Sequence, residues 1–240
     1  MNTARIIAVT QPILHNGGKI VYDESGAEID FTNEDTLTVD EFIAYVARVS
    51  NPSNQMNTAT APKLLRYLAK HKHWSPFEMV NIVMEIDTPR DIARQILRHR
   101  SFSFQEFSQR YADPTSDLGF VTREARLQDQ KNRQNSIETD NGNLQIAWLQ
   151  IQQNAQKEAQ RSYEWAILNG IAKEQARAVL PEGLTISRMY MNGTLRSWIH
   201  YCQLRMGPET QKEHREVATS CWYQIVEKFP SLKDALDIGA

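Results

Sequence analysis

Apolar residues repeat along this chain with two periods, and the switches between them mark out the elements. Ile6 to Val9 is a short apolar run ahead of Pro12, and the turn residues Asn16-Gly17-Gly18 follow, which predicts an opening strand. Thr38 stands three residues before Glu41, the spacing of a capping box. Phe42, Tyr45, Val46 and Val49 then recur at helical intervals. Residues 51–61 are polar and read as loop. Pro62 opens a second helix with Leu64, Leu65, Leu68 and Ala69 on its inward side. Residues 77–86, FEMVNIVMEI, are rich in β-formers and read as a largely buried strand.

Thr88-Pro89 has the form of an N-cap and first helical position. In the helix it predicts, Ile92, Ala93, Ile96 and Leu97 form one stripe, while Asp91, Arg94, Gln95 and Arg98 form another. The helical period breaks from Ser101 to Gln109, which predicts a loop, and residues 112–141 are polar and irregular. From Asn143 a long amphipathic helix runs through Trp148, Ile151, Ala155, Ala159 and Tyr163 to Gly170, a helix-terminating glycine. A short helix ending near Pro181, a strand over 184–191, a turn at Asn192-Gly193 and helices over 194–206 and 208–229 complete the pass. No repeat, low-complexity tract or linker interrupts it. The expected architecture is α+β: one domain over residues 1–240, with a central, mostly antiparallel sheet flanked by helices and a long helix in the second half.

Composition narrows the function. A chain of 240 residues, 41% hydrophobic, can bury one sizeable core. Its formal charge of −2 lacks the basic excess of a general nucleic-acid binder. Any bound anion should therefore meet a local cluster of arginines, and no nucleic-acid partner is expected. Cys202 and Cys221 are too few for a disulfide framework or a four-cysteine zinc site. Nothing resembling a signal peptide opens the chain, and no apolar run approaches the ~18–20 residues of a membrane span. A soluble, cytoplasmic protein without a membrane partner is expected.

The chemistry is concentrated in one segment, Arg98-His99-Arg100-Ser101-Phe102-Ser103-Phe104-Gln105-Glu106-Phe107-Ser108-Gln109-Arg110-Tyr111. Guanidinium groups present a planar, permanently charged fork of donors that suits phosphates, and serine hydroxyls with loop N–H groups can complete an anion pocket. On composition alone, the three basic residues could equally complement the C-terminal end of a helix dipole.

Order and spacing distinguish the two. R-H-R-x-x-S-x-Q-x-x-S-x-R-Y resembles the R-H-R-x-x-S-x-N-x-x-S-x-R signature of flavin-dependent thymidylate synthases, with Gln105 where the usual residue is Asn. His73-Trp74-Ser75-Pro76-Phe77-Glu78 resembles the family's H-x-[ST]-P-F-E segment. Residues 176–181, ARAVLP, resemble its A-R-x-x-L-P element. Asn192-Gly193-Thr194-Leu195-Arg196-Ser197-Trp198, with His200 and Leu204-Arg205, is similar to its later cofactor and substrate helix. The matches run in the family's order over residues 60–206.

The resemblance implies reductive methylation of dUMP with 5,10-methylenetetrahydrofolate as carbon donor and NADPH as reductant through FAD, without a metal. It assigns Gln95, Arg98, Glu106, Phe107, Ser108, Gln109, Arg110, Arg177 and Arg205 to dUMP, with Ser108, Arg110 and Arg177 at its phosphate. To FAD it assigns His73, Ser75, Glu78, Arg98, His99, Arg100, Glu106, Asn192, Gly193, Thr194, Arg196 and His200, the last standing where many relatives have Asn. Ser108 and Arg205 are the implied catalytic residues. A fixed cation at Arg205, beside the uracil ring, favours loss of the N3 proton and so makes C5 nucleophilic.

The unrelated classical thymidylate synthases need a cysteine nucleophile. Cys202, on a stripe with Trp198, Ile199 and Met206, and Cys221, beside Trp222, both read as small core residues.

At about 100° per residue, Arg196 and His200 project nearly together while Arg205 points about 180° from Arg196. We therefore expect the two flanks of this helix to serve different active sites, completed by other subunits. The family resemblance implies a homotetramer. Two rivals stand beside this reading: a metal hydrolase using His71, His73 and His99, and an RNA-binding module stacking bases on Phe102, Phe104 and Tyr111. The first lacks an H-E-x-x-H pattern, and the second lacks both basic charge and an RNA-binding signature.

Overall fold

The computed structural model describes residues 2–14, 25, 36–233, 235 and 236. Nine helices occur among them: α1 (Val39–Ala47), α2 (Ala61–Lys70), α3 (Arg90–Ile96), α4 (Pro114–Asp117), α5 (Gly142–Leu168), α6 (Lys173–Ala176), α7 (Leu195–Arg205), α8 (Lys212–Lys228) and α9 (Pro230–Lys233). The strands are β1 (Thr3–Val9), β2 (Asn81–Pro89), β3 (Ser103–Glu106), β4 (Arg126–Gln128), β5 (Ser136–Glu138) and β6 (Ile186–Thr194). Four of them form a wholly antiparallel sheet in the order β1-β2-β6-β3, and β4 and β5 pair as a separate hairpin.

Alternation along the strands gives the sheet two unlike faces. Ile82, Met84, Ile86, Met189 and Met191 are fully buried on one, packed with Trp198, Ile199 and Cys202 of α7 and Val217, Cys221 and Ile225 of α8. Trp198 can be buried there because its indole N–H donates to the Ile82 carbonyl at 3.0 Å. The other face is polar: Arg188 grips Asp87 with two bonds of 2.8 and 2.7 Å, and Arg5 reaches Glu85 at 2.8 Å.

The capping box at Thr38 forms in full, with Glu41 N–H donating to the Thr38 hydroxyl and the Glu41 carboxylate accepting from Thr38 N–H at 2.8 Å. The long helix ends as expected, with Gly170 at φ +77°. Three glutamines of α5 hold the chain that precedes it. Gln152 and Gln145 each bond both backbone groups of one residue, Arg123 and Ala125 respectively, and Gln156 donates to the Val121 carbonyl at 2.7 Å. That leaves Ile146, Trp148, Leu149, Ile151, Trp165 and Leu168 exposed on α5.

Several boundaries differ from the sequence expectation. The turn at residues 16–18 lies outside the described residues. On α1 it is Ile43 and Ala44 that are buried, and Val49 is 69% exposed beyond the helix. Within residues 51–61, two short 3-10 turns replace simple loop. Pro76 is the second residue of a 3-10 turn over Ser75–Met79, so β2 begins only at Asn81. Thr88 and Pro89 stay in the sheet, opposite Ser187 and Ile186, and the Thr88 hydroxyl donates to Asn2 rather than capping α3. The expected loop over 101–109 contains the edge strand β3, because alternate residues Phe104 and Glu106 turn inward against β6. The polar stretch 112–141 holds α4 and the β4–β5 hairpin. Asn192-Gly193 is no turn: both residues continue β6, opposite Val83 and Ile82.

Candidate functional site

Pairing of β3 with β6 sets the first corner. Glu106 lies opposite Met189, and the next N–H, of Phe107, donates to the Arg188 carbonyl at 2.8 Å. The Glu106 carboxylate thereby accepts from the Ser187 hydroxyl at 2.8 Å and stands 3.5 and 3.7 Å from Arg90 and Arg94, one turn apart on α3. Both arginines also face Glu182, at 3.6 and 3.7 Å. Past β3 the chain turns, and the Ser108 carbonyl accepts from Tyr111 N–H. Arg110 reaches the Glu174 carboxylate at 3.3 Å while Arg177 donates to the carbonyl of the same residue at 3.2 Å. Burial, with the charges of Arg94 and Arg177, lowers the pKa of Arg90 against the pull of Glu106 and Glu182. Four guanidiniums thus share one neighbourhood, and Arg110 is exposed. Gln109 is only 4% exposed, and its amide nitrogen has no hydrogen-bond partner.

The second corner lies at the C-terminal end of α7. Arg205 donates from Nε to His99 Nε2 at 2.9 Å, so the His99 proton belongs on Nδ1. The Tyr201 ring stands edge-on to His99, with centroids 4.9 Å apart. The Tyr201 hydroxyl meets Nε2 of the fully buried His214 at 3.1 Å, and His214 Nδ1 meets Gln95 Oε1 at 3.2 Å. Desolvation, then Arg205 and a second histidine, push His99 down to about 4 and His214 down to about 3. Both rings are neutral at physiological pH, and Arg205 is the local cation.

The third corner lies at the other end of the same helix. Thr194 caps α7 by accepting from Ser197 N–H, and its hydroxyl donates to Glu78 at 2.7 Å. Arg196 stands 3.5 Å from the same carboxylate. Asn192, two residues earlier, has a buried side-chain oxygen without a partner. Gly193 is required by packing: a Cβ there would meet the Phe102 ring at 2.4 Å. Phe102 in turn contacts Trp198 and Tyr201, linking the two ends of the helix.

The expected residues therefore fall into three groups. Glu106, Ser108, Gln109, Arg110 and Arg177 belong to the arginine corner. Gln95, His99 and Arg205 meet at the end of α7. Glu78, Asn192, Thr194 and Arg196 gather at its start. Arg98, Arg100 and His200 are exposed, and His73 and Ser75 lie exposed before and in the 3-10 turn. Arg196 and Arg205 sit about 14 Å apart along the axis, as a nine-residue helical spacing requires. His99, however, contacts Arg205 directly, so a residue assigned to FAD and one assigned to dUMP touch within one chain.

Sequence reasoning missed Arg90, Arg94, Tyr201, Gln211 and His214. Arg90 and Arg94 carried a signal, since they repeat at i, i+4 on the polar stripe that includes Gln95. His71 and His73 pack with Tyr67 while His99 pairs with Arg205, so the three histidines do not converge. Phe102 and Phe104 are packed against the core rather than displayed for stacking. Both cysteines are buried, and burial raises both thiols far above the range in which they ionise.

Comparison with known proteins identifies the family. The profile of a family described as Thymidylate synthase complementing protein matches residues 34–231. A protein of Paramecium bursaria Chlorella virus 1 named "Probable flavin-dependent thymidylate synthase" is 43% identical over 235 residues, covering 98% of this chain and 99% of the relative. The "Flavin-dependent thymidylate synthase" of a Synechocystis strain is 46% identical over 201 residues, covering 84% and 91%. Among solved structures, a UMP/dUMP methylase, PolB from Streptomyces cacaoi, superposes with a TM-score of 0.72 at 22% identity, covering 98% of this chain and 94% of that one, which establishes the shared fold. With its signature segment folded between an arginine corner and the His99–Arg205 pair, the chain belongs to the family of flavin-dependent thymidylate synthases.

Proposed function

We propose that the chain converts dUMP to dTMP, taking carbon from 5,10-methylenetetrahydrofolate and electrons from NADPH through FAD. The observation that carries this reading is the double role of one short segment. Its beginning places His99 against Arg205, and its end brings Arg110, two residues after Ser108, to the Glu174 that Arg177 also contacts. A nucleotide needs both, a cationic corner for phosphate and a fixed cation at the base.

Ser108, Arg110 and Arg177 would hold the phosphate, while Arg90 and Arg94, paired with Glu106 and Glu182, would fix the strand end that carries them. Glu174 is the ion partner that phosphate displaces from Arg110. Arg205, with Nε committed to His99, presents its remaining N–H groups to the base, where a permanent charge stabilises the N3-deprotonated ring and raises electron density at C5. Two buried, unpaired atoms fit the proposed ligands: the Gln109 amide nitrogen beside the phosphate residues and the Asn192 oxygen among the flavin residues. Leaving such an atom unbonded costs about 1–3 kcal/mol, which a ligand hydrogen bond offsets. Glu78, Asn192, Arg196, His99 and Arg100 would hold FAD, which supplies hydride when bound. The burial of both cysteines suits a reaction without a cysteine nucleophile.

The exposed apolar residues of α5 offer a surface for self-association, which supports a homotetramer with shared active sites. No helix among the described residues is long and apolar enough to cross a membrane, and a cytoplasmic location suits the small-molecule substrates.

Purified protein should carry, or acquire with added FAD, a visible flavin absorbance, and should form dTMP only when dUMP, methylenetetrahydrofolate and NADPH are all supplied. Ser108→Ala and Arg205→Ala should impair turnover much more than folding. Near-normal turnover in both would refute the assigned roles.

A further inference from the structure

His214 and Gln211 have no part in the chemistry above, yet they join Gln95 in a hydrogen-bonded chain with a definite direction. Glu213, only 6% exposed, takes a hydrogen bond from Arg126, and Gln211 Nε2 donates to its other oxygen at 2.9 Å. Burial alone would raise this carboxyl, but its bonds to Arg126, its own backbone and Gln211 outweigh that and hold it below the ordinary value. An ionised carboxylate accepts only, so the direction propagates. Gln211 gives its N–H groups to Glu213, which leaves its oxygen to accept from Gln95 Nε2 at 2.9 Å. The Gln95 oxygen then faces His214 Nδ1 and accepts from it, and His214 Nε2 is left to accept the Tyr201 hydroxyl proton. A neutral imidazole can do both only as the Nδ1–H tautomer. Every link runs from Tyr201 toward Glu213, and none can reverse alone.

We propose that Glu213, Gln211 and His214 are positioning residues for the substrate, locking the half-buried Gln95 amide so that its one free N–H donates to a carbonyl of the pyrimidine ring. This rests on the dUMP reading above. An unrestrained glutamine amide can turn end for end and present its oxygen, which would set two acceptors against each other at a ring carbonyl. The chain removes that orientation before substrate arrives, and donors arranged in advance cost less ordering on binding.

The test uses the full chain loaded with FAD, with dUMP as the varied substrate and thermal melting recorded for each variant. His214→Leu removes the donor to Gln95, and Gln211→Met removes the acceptor beyond it. Each should raise KM for dUMP about three- to tenfold, the worth of one hydrogen bond, with kcat near that of the unsubstituted chain. His214→Asn carries an amide nitrogen near the position of Nδ1. It should restore KM, although it loses the Tyr201 bond as the leucine variant does and should melt at a similarly lowered temperature. Unchanged KM in the leucine and methionine variants, or equal KM in the leucine and asparagine variants, overturns the proposal. If His214→Leu fails to fold, Gln211→Met, at a half-buried position, decides alone. Failure of the unsubstituted chain to form dTMP overturns the functional reading and this inference with it, whereas normal turnover with unmoved KM overturns this inference only.

Discussion

The two ends of α7 place cations about 14 Å apart along one helix axis, but they hold them by opposite means. At the start, Arg196 and Glu78 form an ion pair of 3.5 Å with side chains 43% and 37% exposed, and Thr194 ties the carboxylate to the helix cap. At the end, Arg205 has no carboxylate partner among the described residues. It donates to a neutral histidine, beside a second neutral histidine that is wholly buried. A cation beside neutral donors and acceptors keeps its field available for a ligand, whereas one already paired in water has spent most of it on the partner. In the proposed function, this difference gives the end of α7 to charge stabilisation and its start to adhesion.

The sharpest way to break this comparison is Arg205→Ala. Removing a fixed donor aimed at developing charge costs about 10²–10³ in kcat. Turnover of dUMP should fall by that much while the melting temperature moves little, since Arg205 is partly exposed. A loss under tenfold would place the two ends on equal terms.

Next is Gly193→Ala, which tests the aromatic link between the ends. The new Cβ would sit 2.4 Å from the Phe102 ring, and Phe102 is wedged against Trp198 and Tyr201. Overpacking of this kind costs about 1–3 kcal/mol. Chemical denaturation should show the loss, and dUMP KM should rise with it as Tyr201 shifts. An unchanged midpoint would show that the ring moves freely.

Protonation tells the ends apart as well. His99 and His214 are depressed to about 4 and about 3 in the fold, against 6.5 for an exposed histidine. Between those values the unfolded chain binds protons that the folded chain refuses, so stability is complete above pH 6.5 and declines as pH falls toward 4 and 3. Melting temperature should therefore drop between pH 7 and 5. In His214→Asn the drop should be shallower. A flat profile over that range would mean that these rings are not held neutral.

How much of this was legible in the sequence depends on how local each cause is. The capping box at Thr38, the stripe on α2 and the terminating Gly170 were readable because neighbours a few residues apart decide them. The candidate segment could be singled out as well, because its basic, hydroxyl and carboxylate side chains lie within fourteen consecutive positions. The strand character of residues 103–106 was not, since four residues carry almost no periodicity and their pairing partner β6 lies some 85 positions later. The continuation of β6 through Asn192-Gly193 was hidden because turn-forming residues were overridden by pairing on the β2 side. His214 was the least legible: in K-E-H-R-E it looks like part of a solvated helix face, and its role comes from Tyr201 of α7 and from Gln95 of α3, 119 residues earlier.

The smallest effect should come from Arg196→Ala. Its partner Glu78 keeps the Thr194 hydroxyl at 2.7 Å, so the helix cap survives the substitution. The ion pair itself is more than a third exposed on both sides, and such pairs contribute about 0–1 kcal/mol to stability. Melting should therefore shift by no more than a few degrees. Affinity for FAD should fall instead, by about three- to tenfold if Arg196 makes one hydrogen bond to the cofactor. Turnover at saturating FAD should stay close to that of the unsubstituted chain, in contrast with Arg205→Ala. A kcat loss as deep as that of Arg205→Ala would mean that the start of α7 also acts on the reacting base, and the division of labour along this helix would have to be abandoned.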